Sequence, residues 1–174
     1  MQLIKQGEQV FQSQPKVPAD LLILTYGAFV AKILSETDDN DPKAVNQQLE
    51  QIGWNIGSRM IDEFFARLPT SQQQPCREFR QSLEILTKTA MKMFLNTTCD
   101  YRMIEGKKNE AYLTFRDNPL AEYVILPPKI ERELWYSNVL CGIIRGAFEQ
   151  ISVTVKAEFI NDVLRGHEST VILV

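Results

Sequence analysis

The sequence has little of what most catalytic and metal sites require. It contains a single histidine, His167, and its three cysteines lack the spacing of metal ligands. Triads and metal sites that need several histidines are therefore excluded. No phosphate-binding loop or dinucleotide-binding glycine motif follows a strand pattern. We expect His167, beside Gly166, to be an exposed turn residue, and we predict no catalytic residue and no metal site.

Basic charge is not in excess either. The chain has 19 Lys and Arg against 22 Asp and Glu, a formal net charge of -3. Dedicated nucleic-acid binders usually carry a strong basic excess, so we do not expect nucleic acid as a partner. No apolar run approaches the roughly 20 residues that span a bilayer. With an odd number of cysteines and no recognisable signal peptide, we expect a reducing, cytoplasmic compartment.

The residues that are present predict one α/β (α+β) domain, with four main helices layered against a small twisted antiparallel sheet. Hydrophobic residues make up 44% of the 174 positions, which suffices for one core. Apolar residues at three- and four-residue steps predict helices, and alternating β-branched or aromatic residues predict strands. The predicted helices are 20–34, 43–68, 77–96 and 131–150, the predicted strands are 112–116, 123–126, 152–159 and 170–174, and 97–109 is predicted to be a loop.

The first 18 residues differ from the rest. They are rich in glutamine and are interrupted by Pro15 and Pro18. We expect residues 1–18 to form a flexible N-terminal arm, or a short helix, outside the core. The domain is expected to span 19–174. Its first helix is apolar nearly all round, so one face is expected to pack on the core and another to meet a partner subunit.

Two glycine pairs stand out, Gly53 with Gly57 and Gly142 with Gly146. Each glycine inside a helix costs about 1 kcal/mol relative to alanine. Close approach of a neighbouring backbone would offset this cost. The pairs therefore predict two closely packed helices in a soluble core, or alternatively small residues that clear space for a ligand. A membrane dimerisation motif is excluded by the nearby arginines.

Cys76 is the one candidate for chemistry. It follows Pro75 and precedes the third predicted helix, whose first-turn amides would favour its thiolate. From Cys76 to Ala90 the helical rise is roughly 21 Å, similar to an extended long acyl chain. An acylated cysteine and an unmodified, partly exposed cysteine are both compatible with this pattern. Cys99 is expected in a loop and Cys141 in the core.

Several ordered stretches resemble the Bet-three-type subunits of the TRAPP vesicle-tethering complex, over about residues 21–174. The stretches that carry the resemblance are Leu24-Thr25-Tyr26-Gly27, Asn55-Ile56-Gly57 with Arg59, Phe64 with Ala66-Arg67, Asn118-Pro119-Leu120-Ala121, Val124, Leu126-Pro127, Tyr136-Ser137-Asn138-Val139-Leu140-Cys141-Gly142, and Arg145-Gly146.

The resemblance implies a homodimer, or a heterodimer with a related small subunit, built through the first two helices. It implies a non-catalytic core subunit of an assembly that tethers vesicles between the endoplasmic reticulum and the Golgi. That assembly promotes nucleotide exchange on a Rab-type GTPase, so the isolated chain is not expected to be an enzyme. The expected location is cytoplasmic, peripheral at cis-Golgi and endoplasmic reticulum membranes.

The resemblance also implies a lipid site. Cys76 matches a cysteine that carries a palmitoyl thioester in the family, and Ala90 matches a small channel residue whose enlargement blocks the acyl chain. Helical phase adds Leu83 and Leu86 to the predicted acyl channel. Two alternatives remain: an unacylated subunit whose channel is empty or holds a free lipid, and a small hydrophobic-ligand sensor with the 4-vinyl-reductase-like fold.

The chain departs from the family pattern at three places. Residues 97–109 lack the usual Asn-Trp-Ser motif, so contacts made by that loop are expected to differ. The sequence stops at Val174, where family members continue with a short tail that helps engage the GTPase. His167 replaces a usual acidic residue and inherits no role.

Overall fold

The computed structural model describes residues 2–37, 41–69 and 78–174. In chain order the helical elements are α1 (Gln2–Ser13), α2 (Ala19–Glu36), α3 (Pro42–Arg67), α4 (Phe79–Ile85), a π-helical segment (Leu86–Ala90), α5 (Met91–Leu95), α6 (Val139–Gln150) and a 3₁₀ turn (Val163–Arg165). The strands are β1 (Asp100–Met103), β2 (Ala111–Phe115), β3 (Glu158–Asn161) and β4 (Thr170–Leu173).

Within these ranges the four strands form one antiparallel sheet in the order β1-β2-β4-β3. Leu113 pairs with Tyr101 on one side and with Ile172 on the other. Alternate residues of β2 are buried while Tyr112 is exposed, as expected for a strand with one face on a core. The predicted α/β fold with an antiparallel sheet is confirmed.

Helices α3 and α6 pack with their backbones in contact, as the glycine pairs predicted. A Cβ on Gly53 would overlap the carbonyl oxygen of Val139 and lie 3.0 Å from the Cα of Gly142. Cβ atoms on the other three glycines would likewise overlap carbonyl oxygens of the opposite helix. The close-packing interpretation of the pairs is therefore confirmed.

Two polar contacts flank this helix pair. Arg145 forms an ion pair with Glu50, and the indole Nε1 of Trp54 donates to Oε2 of Glu149 at 2.7 Å. Both lie at least partly in solvent, so each adds little stability by itself. Their geometric effect is to fix the register of α6 along α3.

Asn46 of α3 holds the chain that leads into α6. Its side chain donates to the carbonyl of Glu133 at 2.9 Å and accepts from the backbone N–H of Trp135 at 2.8 Å. Its own carbonyl accepts from Asn138 Nδ2 at 2.8 Å. These bonds hold the segment in turns, so the predicted helix 131–150 is wrong before Val139. Hydrogen bonds from a side chain to the backbone occupy N–H and C=O groups that a helix would otherwise pair along its own axis.

The predicted strand 123–126 is also wrong. Tyr123 has a positive φ of 63°, which a strand residue does not adopt. Ile125 is 94% exposed, and the segment is in turn and loop conformation. Its alternating pattern therefore forms no strand.

The bounds of two other strands depend on pairing between residues that are distant in sequence. The predicted loop 97–109 contains β1, whose polar residues become a strand because β2 lies beside them. The predicted strand 152–159 is wrong over most of its length, because the strand that pairs with β4 is β3, Glu158–Asn161. Strand 112–116 is confirmed as β2, and 170–174 as β4, each within about one residue.

The predicted helices 43–68 and 77–96 are largely confirmed. Helix α3 begins as predicted, with Asp41 accepting from Lys43 N–H and Pro42 in the first turn. The third predicted helix, 77–96, corresponds to α4, the π segment and α5 in continuous succession. It ends at Asn96 in the left-handed conformation. Arg77 lies outside the described residues.

The N-terminal segment was expected to lie outside the core. It contains helix α1, which packs on the π segment and on α5. Val10 is only 8% exposed and joins Phe64, Leu68 and Met93 in a hydrophobic group that we call the second cluster. The prediction that this segment lies apart from the packed interior is therefore wrong, because α1 has an apolar stripe of its own.

We predict that Gly53→Ala loses about 2 kcal/mol or more in free energy of unfolding, because its Cβ would overlap the backbone of α6. Urea denaturation followed by circular dichroism measures this loss. Gln51→Ala, an exposed position two residues away on α3, is the matched control and should change stability by less than about 0.5 kcal/mol. Equal stability of the two variants would contradict the close contact.

Candidate functional site

A cavity of about 440 Å³ lies between the C-terminal half of α3, the whole of α6, the helical run 79–95 and the buried face of the sheet. Its wall is formed by α1 (Leu3, Gln6), α3 (Met60, Ile61, Phe64, Phe65, Leu68), the helical run (Ser82, Ile85, Leu86, Thr89, Ala90, Met91, Phe94, Leu95), Cys99, the strands (Leu113, Phe115, Ile172) and α6 with the next residue (Leu140, Ile143, Ile144, Ala147, Phe148, Ile151).

The wall is apolar and, in the described part of the chain, carries no charged side chain. Its polar residues are Gln6, Ser82, Thr89 and the thiol of Cys99. The Thr89 hydroxyl donates to the carbonyl of Leu3 at 3.2 Å. Such a wall suits a hydrocarbon ligand, whereas a charged head group would lose its hydration without a partner.

The π segment forms the part of the wall that includes Leu86 and Ala90. The backbone N–H of Met91 donates to the carbonyl of Leu86, five residues earlier, which defines the wide turn. Such single π turns inside α-helices occur frequently at functional sites. The structure thus brings two of the predicted channel residues, Leu86 and Ala90, to one cavity.

Leu83 lies elsewhere. Its side chain is fully buried in the main core and is not part of the cavity wall, whereas its neighbour Ser82 is. Helical phase placed Leu83 on the channel. In the structure Leu83 lies on the side of α4 that packs in the main core, and the additional residue of the π turn comes only after it. Cys76 lies outside the described residues.

The sequence prediction missed the contributions of α1, α6 and Cys99 to the cavity. Leu3, Gly7 and Val10 follow three- and four-residue steps, a pattern that indicates a helix with a packed face. Cys99 was placed in a loop, but it is 3% exposed and lines the cavity. Cys141 is fully buried, as predicted.

The two described cysteines are poorly ionised. Burial, and secondarily the nearby Asp100 carboxylate, raises the pKa of Cys99 to about 12. Burial also raises the pKa of Cys141 well above its ordinary value. Since the thiolate is the nucleophile, neither cysteine is suited to nucleophilic chemistry at neutral pH.

A second surface of interest is the exposed side of α2. Ile23, Tyr26, Val30 and Ile33 are buried, while the other side of the helix leaves large apolar residues in solvent. These are Leu21 at 58%, Leu22 at 47%, Leu24 at 66% and Phe29 at 38% exposed. Nearby on α3, a shallow groove is lined by Ile52, Asn55, Ile56, Arg59, Met60 and Glu63.

Other classes of site find no support in the described ranges. They contain no group of three or more His, Cys, Asp or Glu side chains arranged to hold a metal ion. None of the helices described is long and apolar enough to cross a membrane. His167 is exposed in a turn, as predicted, with its Nδ1 3.0 Å from the carbonyl oxygen of Asp162.

The fold and the cavity together define an α/β domain with an apolar cavity between its helices and its sheet. Residues 22–174 match the sequence profile of the family described as "Transport protein particle (TRAPP) component". The chain belongs to this family, and the resemblance drawn from the sequence is confirmed.

Curated relatives agree over most of the chain. It is 42% identical over 170 residues to the transport protein particle subunit bet3 of Schizosaccharomyces pombe, covering 98% of this chain and 90% of that protein. It is 38% identical to trafficking protein particle complex subunit 3 of Dictyostelium discoideum, covering 90% and 81%. Identity to the BET3 subunit of Saccharomyces cerevisiae is 36%, covering 97% and 86%.

A solved structure is similar in fold. It is the crystal structure of a trafficking protein particle complex subunit 3 from Naegleria fowleri, covalently bound to palmitic acid. The TM-score is 0.83 at 36% identity, over 91% of this chain and 95% of that chain. At this identity the likeness extends to the family as well as to the fold.

The raised pKa of Cys99 leads to a prediction about its reactivity. At pH 8 in the folded protein, Cys99 should react with iodoacetamide on the order of a hundredfold more slowly than in denaturant, because little thiolate is present. The rate should rise as the pH approaches 12. Peptide mass spectrometry after timed quenching measures it, with Cys141 as a second buried reference. Equal rates in folded and unfolded protein would contradict the assignment.

Proposed function

We propose that this chain is a non-catalytic core subunit of a TRAPP-type vesicle-tethering assembly, and that its cavity holds a long acyl chain attached as a palmitoyl thioester to Cys76. The apolar cavity of about 440 Å³ is the observation that carries the proposal. Apolar side chains from the helices and from the sheet line its wall and could contact a hydrocarbon chain.

The size of the cavity supports an occupant. The apolar side chains of the wall lose packing contacts wherever the cavity is unfilled. A hydrocarbon chain would restore the lost contacts without requiring a polar partner in the wall.

The position of Cys76 along the chain fits a covalent attachment. It lies three residues before the first residue of α4, which opens the helical run that lines the cavity. The rise from Cys76 to Ala90, if helical, is roughly 21 Å, about the length of an extended long acyl chain. The Naegleria relative, which carries covalent palmitic acid, supports the same class of ligand.

Ala90 is the residue that we assign to keeping the cavity open. Its methyl group lies in the wall, beside Phe94 and the residues of α1, and a larger side chain would project into the cavity. Leu86, one helical turn earlier, supplies apolar contact to the chain.

The role in the assembly is architectural. We propose that the chain acts in endoplasmic reticulum to Golgi transport, in the cytoplasm and peripherally on cis-Golgi and endoplasmic reticulum membranes. Promotion of nucleotide exchange on a Rab-type GTPase is assigned to the whole assembly. The relatives, each described as a subunit of a transport or trafficking protein particle, support this placement.

The exposed side of α2 is proposed as the contact with a second copy of this chain or with a related small TRAPP subunit. This side carries an exposed apolar surface made of Leu21, Leu22, Leu24 and Phe29. Exposed apolar surfaces of this kind mark sites of contact with other proteins. The groove on α3 includes Arg59 and Glu63, polar groups that suit the rim of an interface.

A small hydrophobic-ligand sensor of the 4-vinyl-reductase-like fold is the second candidate. The apolar cavity also suits a free lipid or other small hydrophobic molecule. Covalent attachment at Cys76 distinguishes the subunit carrying an acyl group from both the sensor and an unacylated subunit.

We predict that intact protein from a eukaryotic host carries an added mass equal to a palmitoyl group. Hydroxylamine should remove this mass, because it cleaves thioesters, and Cys76→Ser should lack it. Ala90→Leu should also lack it, since the added side chain fills the acyl path. Mass spectrometry of the intact protein measures all four samples.

The matched control is Glu84→Leu, which enlarges an exposed position on the same helical run without entering the cavity. It should retain the added mass. Thermal unfolding of every variant confirms that it folds. Wild-type protein of unmodified mass would overturn acylation, and stable acylation of Ala90→Leu would overturn the assignment of Ala90.

We predict that Leu24→Asp weakens association with a second copy or with related small subunits at least tenfold, because a charge would enter an apolar contact. Sedimentation equilibrium measures self-association, and affinity capture from a cell extract measures recovery of other TRAPP subunits.

Ile160→Asp is the control for this change. It introduces the same charge at an apolar residue that is 44% exposed on β3, away from α2. It should leave association within about twofold. Unchanged association of Leu24→Asp, or an equal loss in both variants, would contradict the α2 interface.

A further inference from the structure

Helix α1 forms one wall of the cavity although it precedes the part of the chain that matches the family profile, residues 22–174. Leu3 and Gln6 line the cavity opposite the sheet. Removing α1 from this position would open the cavity to solvent along the side of Thr89 and Ala90. The cavity is therefore complete only while α1 is docked.

Docking depends on close contact between α1 and the π segment. A Cβ on Gly7 would lie 2.9 Å from the carbonyl oxygen of Thr89, 3.2 Å from that of Lys88 and 3.1 Å from Cβ of Lys92. Only glycine lets the helix approach this surface without a shift of its neighbours. The hydrogen bond from the Thr89 hydroxyl to the Leu3 carbonyl ties the first turn of α1 to the same segment.

The other end of α1 is held by hydrophobic contact. Val10 packs with Phe64, Leu68 and Met93 in the second cluster, and it is not part of the cavity wall. Residues 14–18, which include Pro15 and Pro18, connect α1 to α2. The contacts of α1 are thus made with α3, the π segment and α5.

An undocked α1 would not keep its structure. A helix of twelve residues is marginal in water when it has no packing partner. Docking and helix formation of α1 are therefore expected to occur together, as local folding on the surface of the π segment.

We propose that α1 is a lid on the acyl cavity, and that its docking and the occupancy of the cavity stabilise each other. This inference rests on the function proposed above. A hydrocarbon chain in the cavity buries surface against Leu3 and so favours the docked helix. By the reciprocity of coupled equilibria, the docked helix strengthens binding of the chain by the same factor. As a lid, it also has to undock before the chain leaves, so we expect docking to slow release.

The test uses the full chain carrying Cys76→Ser, so that binding is not covalent, and cis-parinaric acid, a fatty acid whose fluorescence rises in apolar surroundings. Stopped-flow displacement by excess palmitate gives the release rate. Gly7→Leu should release the probe at least tenfold faster, because its side chain collides with the Thr89 carbonyl. Val10→Asp, which undocks α1 without touching the cavity wall, should have a similar effect.

Glu8→Leu is the matched control, since it adds a leucine to the exposed side of α1 and should leave the release rate within about twofold. Amide hydrogen exchange provides a second readout. Palmitate should slow exchange of residues 3–10 in the Cys76→Ser chain, and it should not do so in Gly7→Leu or Val10→Asp.

The outcomes separate the two proposals. The lid would be overturned, and the acyl cavity left standing, if the probe binds saturably but leaves Gly7→Leu, Val10→Asp and the parent chain at equal rates, and if α1 gains no protection from exchange. If the parent chain shows no saturable binding and Ala90→Leu behaves identically, the proposed cavity function is overturned, and the lid with it. Faster release in both undocking variants, with thermal stability of the remaining domain retained, supports the lid.

Discussion

The backbone contact between α3 and α6 is the constraint on which the rest of the structure depends. Gly53 and Gly57 on one helix and Gly142 and Gly146 on the other remove every side chain that would separate the two backbones. At these positions the entropic cost of glycine in a helix is offset by packing. The two helices then act as one rigid layer against the sheet, with the Glu50–Arg145 ion pair fixing their register.

The cavity lies beside this helix pair. The C-terminal half of α3 contributes the bulky residues Met60, Phe64 and Leu68 to its wall, and α6 contributes Ile143 and Phe148. The π segment forms another part of the wall, at Leu86 and Ala90. Helix α6 thus packs closely on α3 through its glycines and lines an apolar space with its larger residues.

Much of this could be predicted from residues that act locally. The apolar steps along α3 predicted that helix, 43–68, to within about one residue of its bounds. The glycine pairs predicted a close helix contact, because the approach of a neighbouring backbone offsets the cost of glycine in a helix. Leu86 and Ala90 both line the cavity, whereas Leu83 packs in the main core, because three- and four-residue steps do not distinguish neighbouring faces of one helix. Nothing in the five residues Leu86–Ala90 indicates the wide turn that forms there.

The sequence by itself determined most of the helices, the absence of a multi-histidine site and the pairing of small residues that lets two backbones meet. Each of these depends on residue type and short spacing, which local physics decides. Tertiary structure alone decided that Asp100–Met103 becomes a strand, that Asn46 holds residues 133–138 in turns, and that α1 lines the cavity. These features depend on partners distant in sequence, because a backbone N–H or an apolar side chain takes its final conformation from whatever the fold brings beside it.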